Sequence, residues 1–237
     1  MINGKRVEWK EIDAKIVEEL KRIKESRGKI RILSQTIISP STKKILSDFA
    51  DYYPNTELII YDTCSASAIL EANKKCFGIQ AIPDYRFDKA SIVVSFGADF
   101  LGTWISPIEY AYKYSIGRKP EENLARKKFL KHIQFESRLS LTGSNADIRV
   151  PVKPSDEVKI ILGLLNNLLK ISSNDGKLRD IIEDEIISEH NEVLSKIVLE
   201  LWANRGKSIV ISDSNDINVQ ILINAINLIL NNYGNTI

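Results

Sequence analysis

The 237-residue sequence predicts an α/β fold: Rossmann-like parallel sheets with helices on both faces. Three observations carry that expectation. Short β-branched apolar runs alternate with helical patterns of ten or more residues, which is the signature of βαβ units. The runs are continuously apolar, so both faces of each strand are buried. The segments that follow them are rich in Ser, Thr, Asn, Asp and Gly, as expected where connections leave the strand ends.

Taken in order, Ile12, Ile16, Leu20 and Ile23 make one face of an amphipathic helix over 11–27, stopped by Gly28. IRIL (30–33) is the first strand. Ser39-Pro40 opens the next helix, with Ser as cap and Pro where a missing N–H costs nothing. Ile45, Phe49 and Tyr53 are placed on its core side. ELIIY (57–61) is the second strand, and Asp62–Ser65 turns into a helix ending near Gly78. SIVVSF (91–96) follows, then a helix from Ser106-Pro107 to Gly117. IQFES (133–137) and IRVPV (148–152) are strands four and five, before an apolar helix over 156–170. Two helices span 177–203. SIVIS (208–212) and a helix over 215–232, striped by Ile217, Ile221, Leu222, Ala225, Leu228 and Ile229, complete the chain. The expected division is a Rossmann-like domain over 1–170 and, over 171–237, helices plus a strand–helix unit of a second lobe.

Composition excludes several functions. With 33 Lys plus Arg against 31 Asp plus Glu, the charge is too balanced for a nucleic-acid binder. Two cysteines cannot ligate an iron–sulfur cluster or a four-Cys zinc site, which need about four thiolates. Cys64 and Cys76 are expected as buried free thiols. No apolar run approaches the ~20 residues of a membrane span, and Met1 to Lys10 lacks the apolar stretch of a secretory signal. The chain is therefore expected to be soluble: either cytoplasmic, or a fragment whose targeting signal lies elsewhere.

Ligands of parallel sheets lie beyond the strand carboxyl ends, which points to loops 34–39, 62–66, 97–105, 138–147, 153–156 and 212–216. None holds a Gly-x-Gly-x-x-Gly, a phosphate loop or a Gly-x-Ser-x-Gly elbow. Gly97 to Gly102 supplies two glycines after a strand, with Gly97 suited to a sharp turn and Asp99 to a cap. Leu141–Asp147 has the composition of an anion cradle or of a plain polar turn. His132 is assigned a structural or surface role and His190 a solvated one. The basic run Arg126-Lys127-Lys128 with Lys131, offset by Glu121 and Glu122, is a solvated helix face. No catalytic residue and no metal site is recognisable.

Several blocks carry a resemblance. Ala225-Ile-Asn227 through Asn232-Tyr-Gly234 resembles the closing motif of the molybdopterin oxidoreductase (dimethyl sulfoxide reductase) superfamily. A strand leading into Gly97-Ala98-Asp99-Phe100 is similar to its strand followed by Gly-Ala-Asn-Pro. Ala146-Asp147, Arg149–Val152 and Pro154-Ser155-Asp156 resemble its Ala-Asp, strand and Pro-Gly-Thr-Asp succession. More narrowly, SFGADFLGTWISPIEYAYKYSIGRKP, HIQFESRLSLTGSNADIRVPVKPSDE and VEWKEIDAKI resemble the molybdopterin-like portion of the iron–sulfur subunit of alternative complex III, a respiratory quinol:electron-acceptor oxidoreductase.

The resemblance implies a molybdopterin-oxidoreductase-like fold. It also places vestigial cofactor loops at Gly97, Ala98, Asp99, Thr142, Gly143, Ser144, Asn145, Ser155 and Asp156. Asp99-Phe100 stands where the superfamily has Asn-Pro, and Ser155 with one residue fewer stands for Gly-Thr. Asp156 matches the aspartate that receives a guanine edge. The implied chain is a cofactor-free structural domain, with molybdopterin guanine dinucleotide binding by a catalytic fragment as the alternative. Its implied partners are the cluster-bearing half of its own subunit and other subunits of a membrane-bound respiratory complex, on the periplasmic side. A stand-alone α/β binding protein is the third reading.

Overall fold

The computed structural model describes residues 1–2, 4–37, 39–120, 129–172 and 191–237. The chain forms two compact units, Met1–Ser65 and Ala66–Ile237.

In the first unit, α1 (Trp9–Glu25) precedes β1 (Ile30–Ser34), α2 (Pro40–Tyr52) and β2 (Thr56–Ile60). The strands pair in parallel, Ile30 opposite Thr56 through Ser34 opposite Ile60. As the sequence predicts, Pro40 is the first residue of α2, and the Ser39 hydroxyl accepts a hydrogen bond from the Thr42 amide. The expected core face of α2 needs one correction, because Ile45 is 67% exposed. The half-buried stripe is Leu46, Phe49, Ala50 and Tyr53, whose i, i+3, i+4, i+7 spacing also makes a continuous face.

The second unit holds α3 (Ser67–Phe77), β3 (Ile92–Phe96), α4 (Pro107–Arg118), β4 (Lys131–Glu136), the single turn α5 (Leu141–Ser144) and β5 (Ile148–Pro151). It continues with α6 (Pro154–Ser172), α7 (Asn191–Ala203), β6 (Ser208–Ser212) and α8 (Ile217–Ile229). Its strands form one parallel sheet in the order β5-β4-β3-β6. On one face Val94, Phe96, Ile133, Phe135 and Val210 pack against α6, α7 and α8. On the other, Val93, Ile209 and Ile211 meet Ile69, Phe87, Phe100, Tyr110 and Tyr114. Helices thus cover both faces, as continuously apolar strands require.

The expected division at 170/171 is corrected. The chain divides at Ser65, and β6 joins the sheet of β3, β4 and β5 because its five residues are buried beside β3. Much of the expected pair of helices over 177–203 lies outside the described residues, as do His190, Glu121, Glu122 and Arg126 to Lys128. Cys64 and Cys76 are both free and, contrary to expectation, exposed. Cys64 lies in the polar turn after β2, and the buried face of α3 is made by Ala68, Ile69, Ala72 and Asn73 instead.

The outer edge of β6 is closed by side chains. Asn227 Oδ1 accepts from the Val210 amide (3.1 Å), and its Nδ2 donates to the Val210 carbonyl (2.7 Å). Gln220 donates to the Ser212 carbonyl, and Thr236 to the Ser208 carbonyl. An edge strand presents unpaired polar groups at alternate residues; here the carbonyls of 208, 210 and 212 and the amide of 210 are satisfied by α8 or the tail that follows it. Among the described residues no helix is long and apolar enough to cross a membrane.

Candidate functional site

Seven of the nine sequence-predicted residues gather beyond the carboxyl ends of β3 and β4. Gly97 leaves β3 with φ +69°, and a Cβ there would stand 2.4 Å from Asp213 Oδ1. The Asp213 amide in turn donates to the Phe96 carbonyl (3.0 Å). Only a residue without Cβ tolerates both the left-handed conformation and that approach. Ala98 is fully buried, and its carbonyl accepts from Ser95 Oγ (3.2 Å).

Asp99 is the centre of the cluster. It is 8% exposed, and its Oδ1 accepts from both the amide (3.0 Å) and the hydroxyl (2.7 Å) of Thr142. Thr142 Oγ1 accepts in turn from the Leu101 amide (2.9 Å), and the Asp99 carbonyl receives the amides of Gly102, Thr103 and Trp104. The cap expected of Asp99 is present, and what it caps is the first turn of α5. A Cβ on Gly102 would fall 2.2 Å from Asp99 Oδ2, so this glycine accommodates the chain's own carboxylate.

Gly143 repeats the pattern. A Cβ there would lie 1.9 Å from Oε1 of Glu136, whose side chain is 2% exposed. Glu136 also accepts from the Ser140 hydroxyl (2.6 Å) and pairs with Arg149. Burial works against its charge, while Ser140 and Arg149 hold its carboxyl below the usual range. The exposed Ser144 and Asn145 bond back to the Leu141 carbonyl (2.7 and 2.9 Å), making a closed polar turn. Ser155 and Asp156 lie apart from this group in sequence, in the first turn of α6, where Asp156 pairs with Lys159 (3.0 Å).

Phe100 is fully buried and stacks on Phe87 with ring centroids 4.6 Å apart. Beside it lies the buried His132, a structural residue. Gln134 turns its amide nitrogen toward the Ala98 carbonyl and Glu136, leaving Oε1 to accept from His132 Nε2 (3.1 Å). Nδ1 lies 3.2 Å from the Tyr114 hydroxyl, which donates to the Asn145 carbonyl (3.1 Å). Burial lowers the His132 pKa to about 4, so the imidazole is neutral at pH 7.

The sequence singles out none of Glu136, Glu157 and Asp213 as site residues, although Glu136 ends β4, Asp213 follows β6 and Glu157 meets Ser212 at the end of β6. Burial, and then Asp213, raise the Glu157 pKa to about 7, and Ser212 Oγ donates to it (3.3 Å). Loss of solvent also raises Asp213, with Arg138 acting in the opposite direction.

These shifts set a pH dependence. Glu157 is raised in the folded state, so its contribution to stability is full below about pH 4.5 and is lost as pH rises through about 7. His132 is depressed, so its contribution is full above about pH 6.5 and is lost as pH falls through about 4. The two oppose each other in the overlapping window. Glu157→Gln is therefore expected to raise the melting temperature more at pH 8 than at pH 5. Thermal melts at the two values check this; an equal shift at both contradicts it.

The arrangement does not fit a pyrophosphate-bearing cofactor. Asp99, Glu136 and Asp213 stand against Gly102, Gly143 and Gly97 in the loops beyond the strand ends, and Glu157 adds a fourth acid beside Ser212. Like charges 4 Å apart repel by about 4 kcal/mol near a protein surface. The amide and hydroxyl of Thr142 are already committed to Asp99. Among the described residues, no group of three or more His, Cys, Asp or Glu could hold a metal ion.

No family model and no curated protein matches the chain. Among solved structures it is similar to acetylene hydratase from Pelobacter acetylenicus, with a TM-score of 0.56 and 16% identity over 98% of this chain and 34% of that one. The chain spans about a third of the length of that protein, and the likeness is one of fold. The fold is α/β, with parallel sheets flanked by helices, as in that structure.

Proposed function

We propose that this chain is a cofactor-free structural domain within the iron–sulfur, molybdopterin-like subunit of a respiratory quinol oxidoreductase of the alternative complex III kind. It supports electron transfer without catalysing it. Its partners are the cluster-bearing half of its own subunit and neighbouring subunits of a membrane-bound complex on the periplasmic side. The observation that carries the reading is the engagement of Asp99 with Thr142, which fills a would-be cofactor loop with the chain's own carboxylate. The sequence blocks at 95–120 and 132–157 and the shared fold support it.

A scaffold and a catalyst respond differently to damage. In the affinity-tagged parent subunit, Asp99→Ala is expected to lower the amount of quinol-oxidising complex recovered from solubilised membranes. Turnover per assembled complex stays unchanged. Normal assembly with lost turnover contradicts the proposal.

The second reading, a catalytic fragment binding a pterin guanine dinucleotide, draws on Asp156, which retains a carboxylate at the guanine-matching position. It requires saturable binding of guanine nucleotides that Asp156→Ala abolishes.

A further inference from the structure

The first unit contains a cavity of about 480 Å³ that no part of the proposed function uses. One wall is the sheet face formed by Ile32, Leu58 and Ile60, and the other is the Leu46–Ala50 face of α2. Its volume falls in the range of small-molecule sites, roughly 300–1,000 Å³. Its chemistry is graded along its length. The end at Ala50 and Thr56 carries no charge. The other end lies by Thr36 and Ile37, which follow β1, and by Lys43, at the start of α2.

Lys43 is the only ionisable residue among the described lining residues, and it belongs to the N-terminal part of a 13-residue helix, whose dipole adds positive potential. The Thr36 amide and hydroxyl are held by Asp62, which leaves Lys43 as the group that selects a head. The polar end therefore coincides with the carboxyl ends of two parallel strands, where such sheets bind anions.

We infer that this cavity binds a single-chain amphiphile with an anionic head, the apolar chain lying between the sheet and α2 and the head at Lys43. The test is calorimetric titration of the full chain with dodecanoate, dodecanol and dodecylamine, each below the concentration at which it aggregates. Dodecanoate is expected to bind with one-to-one stoichiometry and at least tenfold more tightly than the other two. Lys43→Glu removes that tenfold preference, and Lys43→Gln reduces it. Ala50→Phe, checked for folding by circular dichroism, abolishes uptake of all three. Equal affinity for the three heads, or retained binding in folded Ala50→Phe, overturns the inference. So does a concentration-dependent dimer that Ala50→Phe blocks without any dodecanoate uptake by the original chain.

Discussion

Asn227→Leu is expected to destabilise the second unit by about 3 kcal/mol, a large effect for a single polar substitution. Leucine nearly matches asparagine in shape, so the loss is not one of volume. Asn227 is 1% exposed, and its amide satisfies both the N–H and the carbonyl of Val210 on the outer edge of β6. It also accepts from Asn232 (2.8 Å) and donates to the Ile223 carbonyl (3.0 Å). Without it, two buried backbone groups lose their partner, at about 1–3 kcal/mol each. For a domain of this size that corresponds to a fall of roughly 6–12 °C in melting temperature. Differential scanning calorimetry measures it directly; a shift under about 2 °C, less than 1 kcal/mol of lost stability implies, would contradict that role.

Phe100→Ala is expected to cost more, about 3–5 kcal/mol, because it removes a large fully buried side chain and leaves a cavity. Phe87, Tyr114 and His132 all pack against the ring, with centroids 4.6, 5.6 and 5.2 Å away. The cavity has a polar side, since His132 would lose the aromatic neighbour that helps exclude water from its ring. Chemical denaturation of Phe100→Ala should show a lower midpoint at an unchanged slope. A conservative Phe100→Leu should recover more than half of the loss.

Both residues are legible in the sequence, but not for the reasons the structure gives. Asn227 stands out through a resemblance to the closing motif of the molybdopterin oxidoreductase superfamily, whereas its physical task, pairing an edge strand across a helix–strand contact, depends on the strand order. Periodicity cannot show that β6 lies at an edge. Phe100 stands out as a departure from a motif, and burial gives the reason: the ring belongs to the core beneath β3.

β3 and β6 are legible because their β-branched apolar runs fit strands buried on both faces, whereas β1 and β2, from similar runs, leave Leu33 and Leu58 exposed. The unit boundary at Ser65 is hidden because nothing local in Asp62–Ser65 distinguishes a turn within a unit from one between units. Ile45 is misplaced by a one-residue rotation of an amphipathic face, an error that spacing alone allows. The acids Glu136, Glu157 and Asp213 are invisible as a group, since separate stretches of the chain bring them to one end of the sheet.

The proposed function has the chain's own carboxylates filling would-be cofactor loops, with Asp99 engaged by Thr142. It is tested most directly by expressing the chain in a molybdenum- and tungsten-replete host and assaying the purified protein for metal by mass spectrometry and for pterin by fluorescence after oxidation. The expected result is neither metal nor pterin above background. Stoichiometric molybdenum or tungsten together with a pterin guanine dinucleotide would contradict it.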